Sequence, residues 1–195
     1  MSTKDAALRA LSDLLGDRLN RSTSDRDLHG RSEAHFQDMP PDAVAEMVTT
    51  AMPDDERLWV PQADNVSFRP LHFNTTSGGW VSLLRVRRAG VLSRHRHPAP
   101  VHGLVLKGSW RYLEHDWVAN AGDYIFEPPG EVHTLVVDDD VDEMVTFFNV
   151  QGALIYCDEQ GNAVGYDDVH TKLALARAHF ERVGLGADYV RRFVR

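Results

Sequence analysis

The chain has 195 residues, enough for one domain with an appendage, and its hydrophobic content of 43 % allows a buried core. Its formal net charge of −8, with no basic stripe, argues against nucleic acid as a partner. The only cysteine, Cys157, cannot form an internal disulfide, and no apolar run is long enough for a signal peptide or a membrane span. We therefore expect a cytoplasmic protein that does not contact a membrane.

The N-terminal region, residues 1–54, is predicted to be a helical extension. Leucines at three- and four-residue spacing indicate a helix over residues 4–20, and a polar linker follows up to residue 38. A second helix is predicted to begin at Pro40-Pro41-Asp42 and to end before Pro53. The positions expected to face inward on this second helix are Val44, Met47, Val48 and Met52.

Residues 55–165 are predicted to form a β domain. Short runs of β-branched and aromatic residues alternate with Gly, Pro and Asn breakers, and about nine strands at this spacing are typical of an all-β barrel or sandwich. The predicted strands are 58–60, 66–73, 80–86, 101–106, 109–115, 122–126, 132–137, 143–150 and 153–158. Residues 166–195 are predicted to pack on this barrel as a helical segment, with a main helix over 167–183.

Three histidines are the candidate metal ligands. His95 and His97 would point to the same face of a strand, about 6.6 Å apart at Cα, which lets both imidazoles reach one ion at about 2.1 Å. His133 follows a tight turn at Pro128-Pro129-Gly130 and would supply the third ligand from another strand. Three protein ligands leave coordination positions open, as catalysis or ligand binding requires, and imidazole donors suit Fe, Zn, Cu or Ni.

The spacing around these histidines resembles the two motifs of the cupin superfamily. Gly122-x5-Pro128-x-Gly130-x2-His133 matches the second motif, and Gly90-x4-His95-x-His97 followed by Gly108 matches the first with one residue missing. The resemblance implies a barrel of two packed antiparallel sheets, here with helical appendages at both ends. It also implies a homodimer or homotetramer.

One position departs from the cupin pattern. Cupins usually place a Glu three or four residues after the second His, where this chain has Val101 and His102. His102 could itself reach the metal or the substrate. Alternatively, a hairpin at Lys107-Gly108 would pair Val101 with Glu114, and cross-strand partners share a face. A fourth catalytic or ligating group is therefore sought in Glu114, His102 or water.

A narrower resemblance covers roughly residues 55–195. The segments 98–103, 108–117, 127–135 and 168–189 resemble the 2,4'-dihydroxyacetophenone dioxygenase family. This implies an Fe(II) enzyme that uses O2 to cleave a C–C bond of an aryl hydroxyketone, giving an aryl carboxylate and formate. The resemblance implies a small aromatic ketone as substrate, and Trp110 and Tyr112 would line its pocket if they face inward beside Glu114. The alternative is that both rings only fill the core.

Two other functions fit the same ligands. One is a non-catalytic metal-binding cupin that acts as a sensor or binding module, and the N-terminal extension keeps this alternative open. The other is a Zn- or Ni-dependent hydrolase or isomerase.

Overall fold

Two antiparallel sheets of six strands each form the body of residues 43–195. This computed structural model describes residues 43–195. The strands are β1 (Val60–Ala63), β2 (Val66–Asn74), β3 (Gly79–Val86), β4 (Gly90–Arg96), β5 (Val101–Lys107), β6 (Ser109–Tyr112), β7 (Ala119–Asn120), β8 (Tyr124–Glu127), β9 (Val132–Val137), β10 (Met144–Val150), β11 (Ala153–Cys157) and β12 (Ala163–Asp168). The strand order is β1-β2-β3-β10-β5-β8 in one sheet and β12-β11-β4-β9-β6-β7 in the other. The predicted all-β fold is confirmed.

The core lies between the inner faces of the two sheets. Buried aromatic side chains dominate it, and Phe68, Trp80, Trp110 and Phe148 belong to one continuous cluster. Each of these rings removes a large apolar area from water, so together they supply most of the hydrophobic driving force in this layer.

The C-terminal segment packs against the edge of the first sheet. Helix α1 (Val169–Arg182) begins at Asp168, whose carboxylate accepts hydrogen bonds from the backbone of His170 and Thr171 in a capping box. Phe180 of α1 and Phe193 of the 3-10 segment Ala187–Phe193 are fully buried. The predicted helix therefore exists, although β12 occupies the residues directly before it, which the sequence pattern had not indicated. None of the helices in residues 43–195 has the length and apolarity needed to cross a bilayer.

The second predicted N-terminal helix is wrong for the residues that the structure describes, and the first, at 4–20, lies outside them. Residues 43–54 contain only coil and bends. Val48 is fully exposed and Met52 is 47 % exposed, whereas Met47 contacts the core. An apolar stripe forms a helix mainly when the whole stripe is buried, and here only part of it is. The segment is instead tied down by Arg69, which donates hydrogen bonds to Thr49 Oγ1 and the Thr50 carbonyl.

The predicted hairpin between β5 and β6 is also wrong. β5 pairs with β10 and β8 in the first sheet, whereas β6 pairs with β7 and β9 in the second. The chain crosses between the sheets at Gly108, whose φ is +68°. A Cβ at this position would lie 2.5 Å from the Glu143 carbonyl oxygen, so only glycine fits. This crossing changes which residue faces Val101.

Candidate metal centre

The three predicted histidines meet on the inner face of the second sheet. His95 of β4 is the cross-strand partner of His133 in β9, and partners in adjacent strands share a face. His97 lies directly after β4, two residues beyond His95, and its carbonyl accepts a hydrogen bond of 2.8 Å from Gly130 N in the turn before β9. The three residues are buried, and each offers a nitrogen within 4.8 Å of the other two, so this group could bind a metal ion.

Hydrogen bonds orient the rings of His95 and His97, and stacking orients the ring of His133. His97 Nδ1 lies 3.0 Å from the Ala153 carbonyl oxygen, and His95 Nδ1 lies 3.2 Å from the Ser93 carbonyl oxygen. An Nδ1–H donated to a carbonyl leaves the Nε2 lone pair free for a metal. The His133 ring stacks on Tyr112 with centroids 3.9 Å apart and planes 5° apart.

The imidazoles are held in the neutral form that binds metals. Burial, together with the neighbouring His133 and His97, lowers the pKa of His95 to about 3. Burial also lowers the pKa of His133 to about 3 and lowers the pKa of His97. At neutral pH, no proton therefore competes with a metal for these nitrogens.

A carboxylate that sequence reasoning missed lies beside two of the three histidines. Glu127, at the end of β8, is the cross-strand partner of Val101, so it points where the cupin glutamate would have pointed. Its Oε2 lies 3.4 Å from His97 Nε2 and 3.7 Å from His133 Nε2. Its Oε1 accepts a hydrogen bond of 2.7 Å from the Tyr112 hydroxyl, and burial raises its pKa to about 7.

Two buried atoms at this point show that the residues fit a metal. His133 Nε2 and Glu127 Oε2 have no hydrogen-bond partner within the described part of the chain. Such groups are costly to bury unless something else binds them. Ligand atoms about 2.1 Å from a shared ion lie roughly 3.0–3.5 Å apart, which is close to the spacing of Glu127 from His97 and His133.

The cluster opens into a cavity of about 230 Å³ between the two sheets. His95, His97 and Glu127 line it, and most of the remaining wall is apolar, including Phe68, Trp80 and Phe148. A few convergent polar groups in an otherwise apolar cavity are typical of a small-molecule site.

A family model for the ChrR cupin-like domain matches residues 47–155. The chain belongs to this cupin family. The predicted cupin membership is therefore confirmed.

Solved structures agree with this assignment, whereas no curated protein sequence matches the chain. An RmlC-like cupin protein from Ralstonia eutropha JMP134 is 26 % identical, with a TM-score of 0.64 over 71 % of this chain and 90 % of its own. An acetylacetone dioxygenase from Acinetobacter johnsonii is 16 % identical, with a TM-score of 0.59 over 72 % of this chain and 99 % of its own. At that identity, the second comparison shows a shared fold.

Glu114 does not join the metal cluster of this cupin. It lies in the turn after β6, where its carboxylate accepts hydrogen bonds from Thr134 N at 2.7 Å and Thr134 Oγ1 at 2.9 Å. Arg94 also donates to it at 3.2 Å. The register that placed Glu114 opposite Val101 is corrected by the pairing of β5 with β8, so its carboxylate holds β4 and β9 together.

His102 also lies away from the histidine cluster. Its Nδ1 is 2.7 Å from the Tyr124 hydroxyl, and its ring lies 5.5 Å from Phe126 between centroids. Tyr124 and Phe126 are both more than half exposed. Because His102 follows the inward-facing Val101, its side chain lies on the outer face of the sheet.

The two predicted pocket aromatics have different surroundings. Tyr112 lines the cavity, stacks on His133 and donates to Glu127. Trp110 is buried in the core and contacts Tyr112, Trp117 and Phe148 at centroid distances of 5.0–5.8 Å. Trp110 thus supports the wall behind Tyr112 and is not part of the cavity surface.

Proposed function

We propose that this cupin is a non-heme iron dioxygenase that cleaves a C–C bond of an aryl hydroxyketone or a β-diketone with O2 and forms carboxylic acids. The observation that carries this proposal is the cluster of three buried, neutral histidines and Glu127 at the wall of an apolar cavity. The shared fold with an acetylacetone dioxygenase supports the reaction class by analogy.

His95, His97, His133 and Glu127 would hold the metal. Nitrogen and carboxylate donors suit Fe(II), although Zn and Ni can use the same set. These residues would leave coordination positions of the metal free for other ligands. Bound Fe(II) would pass electrons from the ketone to O2 and supply the Lewis acidity that favours the enolate of that ketone.

The protein around the ligands orients them and selects the substrate. Tyr112 fixes the Glu127 carboxylate by its hydrogen bond and the His133 ring by stacking. Three neutral ligands and a single carboxylate leave a divalent site with a net positive charge, which favours an anionic enolate. The walls formed by Phe68, Trp80 and Phe148 exclude water and accept an aromatic or alkyl body.

The test begins with the metal content of the purified protein, followed by O2 uptake with 2-hydroxyacetophenones and β-diketones. We expect iron, O2 uptake that depends on substrate, and carboxylic acid products, with formate from hydroxyketones. Iron-loaded protein that consumes no O2 across the panel contradicts the proposal. Activity restored by Zn or Ni without O2 uptake indicates a hydrolase or isomerase instead.

The family match favours a second candidate, a metal-binding cupin without catalysis that acts as a sensor or binding module. This candidate predicts metal and small-ligand binding, measured by calorimetry, with no turnover of any ligand. We also propose a cytoplasmic homodimer or homotetramer. Cell fractionation and light scattering of the purified protein test these two points.

A further inference from the structure

The outer face of the first sheet is covered over only part of its width. The segment before β1 covers the part over β2 and β3, where Ala51 and Trp59 pack on Leu71 and Leu83. Over β5 and β8 the outward side chains remain open to solvent, and four of them are large and apolar. We call this open part, with the adjoining residues of β10, the β8 face; its outward residues are His102, Leu104, Leu106, Tyr124, Phe126, Phe147 and Asn149.

Strand pairing makes the β8 face a continuous surface. Val101, Glu127 and Phe148 line the cavity, so their neighbours in each strand point outward. The outward residues form two adjacent rows across β10, β5 and β8, namely Phe147, Leu104 and Tyr124, and Asn149, His102 and Phe126. Contiguous exposed apolar surface of this kind commonly marks an interaction site.

The β8 face carries no charged residue, although Asp, Glu, Lys and Arg make up 26 % of the chain. The outer face of the second sheet is different. There, Arg94 pairs with Glu114 at 3.2 Å and Arg111 pairs with Asp138 at 3.0 Å, as expected of a sheet that faces water. A surface that lacks charge and is rich in aromatic side chains has the composition of the core of a protein–protein interface.

The strand at the border of this face is an unprotected edge. Among the residues that the structure describes, β8 pairs only with β5, so its other side has no strand partner. Edge strands that remain in water usually carry Lys, Pro or an inward-pointing charge, whereas Tyr124-Ile125-Phe126 has none of these. Both the edge and the face of β8 are therefore suited to contact with another protein surface.

A second copy of this chain fits the β8 face better than a charged partner does. The face has no charge that could select such a partner, and its neutrality lets two copies of net charge −8 meet without local repulsion. A two-fold axis beside β8 would pair its free edge with the same edge of the other copy.

The exposed area is sufficient for the centre of such a contact. The four exposed apolar side chains, Leu104, Leu106, Tyr124 and Phe126, supply roughly 400 Å² per copy. A stable interface buries about 800 Å² per partner, and the backbone of β8 and the polar residues around the face would supply the remainder.

We infer that the β8 face is the surface through which two copies of this chain associate, with β8 of one copy beside β8 of the other. This inference rests on the homo-oligomer proposed above and names its contact surface. A tetramer would use this contact together with a second one.

Two matched tyrosines on edge strands test the surface in the full-length protein. Tyr124 of β8 is 63 % exposed and Tyr166 of β12 is 61 % exposed, so either can be replaced without opening the core. We expect Tyr124→Lys to halve the particle mass in sedimentation equilibrium. The dissociation constant should rise about 100-fold or more, because each dimer would bury two unpaired ammonium groups. Tyr166→Lys should keep the wild-type mass.

A second variant and a second measurement separate dissociation from misfolding. Leu104→Lys lies in the same row as Tyr124 and should dissociate the oligomer in the same way. Both variants should keep the circular dichroism spectrum and the metal content of the wild type. In hydrogen exchange, the amides of β8 should exchange faster in Tyr124→Lys than in the wild type, whereas those of β12 should not change.

Three results would overturn the inference. A monomeric wild type refutes both the oligomer and its surface: slow exchange in β8 would then mean that another part of the same chain covers the face, and fast exchange would leave the face to a different partner. An oligomer that persists in both lysine variants, or that dissociates equally in Tyr166→Lys, has its contact elsewhere. O2 uptake is independent of these outcomes, so its absence refutes the dioxygenase and leaves the surface standing.

Discussion

The two polar ends of the cavity differ in whether their buried atoms have partners. At the metal end, His133 Nε2 and Glu127 Oε2 are buried without a hydrogen bond to any residue that the structure describes. At the other end, Lys172, Asp167, Tyr156 and Gln62 bond to one another at 2.7–3.3 Å. The two ends also differ in exposure, because His133 and Glu127 are buried, whereas Gln62, Tyr156 and Asp167 around the buried Lys172 are partly exposed.

The difference separates a site whose polar groups lack partners until a ligand binds from one whose polar groups already have partners. An unpaired buried donor or acceptor costs about 1–3 kcal/mol, so the metal end is destabilising until an ion binds. At the Lys172 end, the hydrogen bonds to Gln62 and Asp167 compensate for the burial of the ammonium. Loss of a residue should therefore change metal binding at the first end and stability at the second.

Removal of a histidine ligand is the largest perturbation of the metal end. His133→Ala should lose more than about 100-fold in metal affinity, because even residues that only support a ligand contribute 10- to 100-fold. Metal content after gel filtration, measured by plasma emission spectrometry, checks this. His102→Ala is the matched control and should retain the metal, since His102 bonds to Tyr124 on the outer face. A His133→Ala protein with full metal content would show that the ion binds elsewhere.

The pH dependence of the metal-free protein tests the burial of Glu127. In the folded protein, the pKa of Glu127 is about 7, above the ordinary value of 4.5. The contribution of Glu127 to the free energy of unfolding is therefore complete at low pH and is lost as pH rises through about 7. The wild type loses about 3 kcal/mol of its free energy of unfolding in this way. The Glu127→Gln variant loses none of it, because Gln does not titrate. From about pH 5 to about pH 8, the free energy of unfolding of Glu127→Gln should therefore rise relative to wild type.

Urea unfolding of both chelator-treated proteins measures this difference. The histidine contributions are common to wild type and variant, so they cancel in the comparison. A difference that does not vary with pH would mean that Glu127 is solvated in the metal-free protein.

The histidines could be predicted from the sequence, whereas Glu127 could not. His95 and His97 share a face because strands alternate, and His133 follows a recognisable turn. Finding Glu127 requires knowing that β5 pairs with β8. The rule that cross-strand partners share a face was correct, but it was applied to Glu114 because Gly108 was interpreted as a hairpin turn and not as a crossing between sheets.

The helical segments show the same limit. The apolar pattern predicted the C-terminal helix but gave no sign that this helix buries Lys172. Lys172 is buried because Asp167 and Gln62 receive its ammonium, and β1 lies more than a hundred residues away in the chain. A partner as distant in the chain as Gln62 leaves no local signal in the sequence around Lys172.

A smaller effect is expected when Glu127 loses only its charge in the metal-loaded protein. Glu127→Gln keeps an acceptor for Tyr112 but replaces an anionic ligand by a neutral one, so metal affinity should fall about 10- to 100-fold. Competition with a chromogenic chelator measures the affinity. Glu114→Gln provides the comparison, since its carboxylate bonds to Thr134 and Arg94, and its affinity should match wild type. Equal losses in both variants would point to a general effect of negative charge.

The smallest effects distinguish the two cavity tyrosines, each of which donates a hydrogen bond to a carboxylate: Tyr112 to Glu127 and Tyr156 to Asp167. Tyr112→Phe keeps the stacking on His133 but leaves Glu127 Oε1 without its donor, so metal affinity should fall by about tenfold through loss of ligand orientation. Tyr156→Phe removes the equivalent bond to Asp167, which should cost about 1 kcal/mol of stability and leave metal affinity unchanged. Chelator competition and urea unfolding on both variants measure the two quantities. If Tyr156→Phe weakens metal binding as much as Tyr112→Phe does, the two ends act as one hydrogen-bonded unit through His95, and the distinction between them fails.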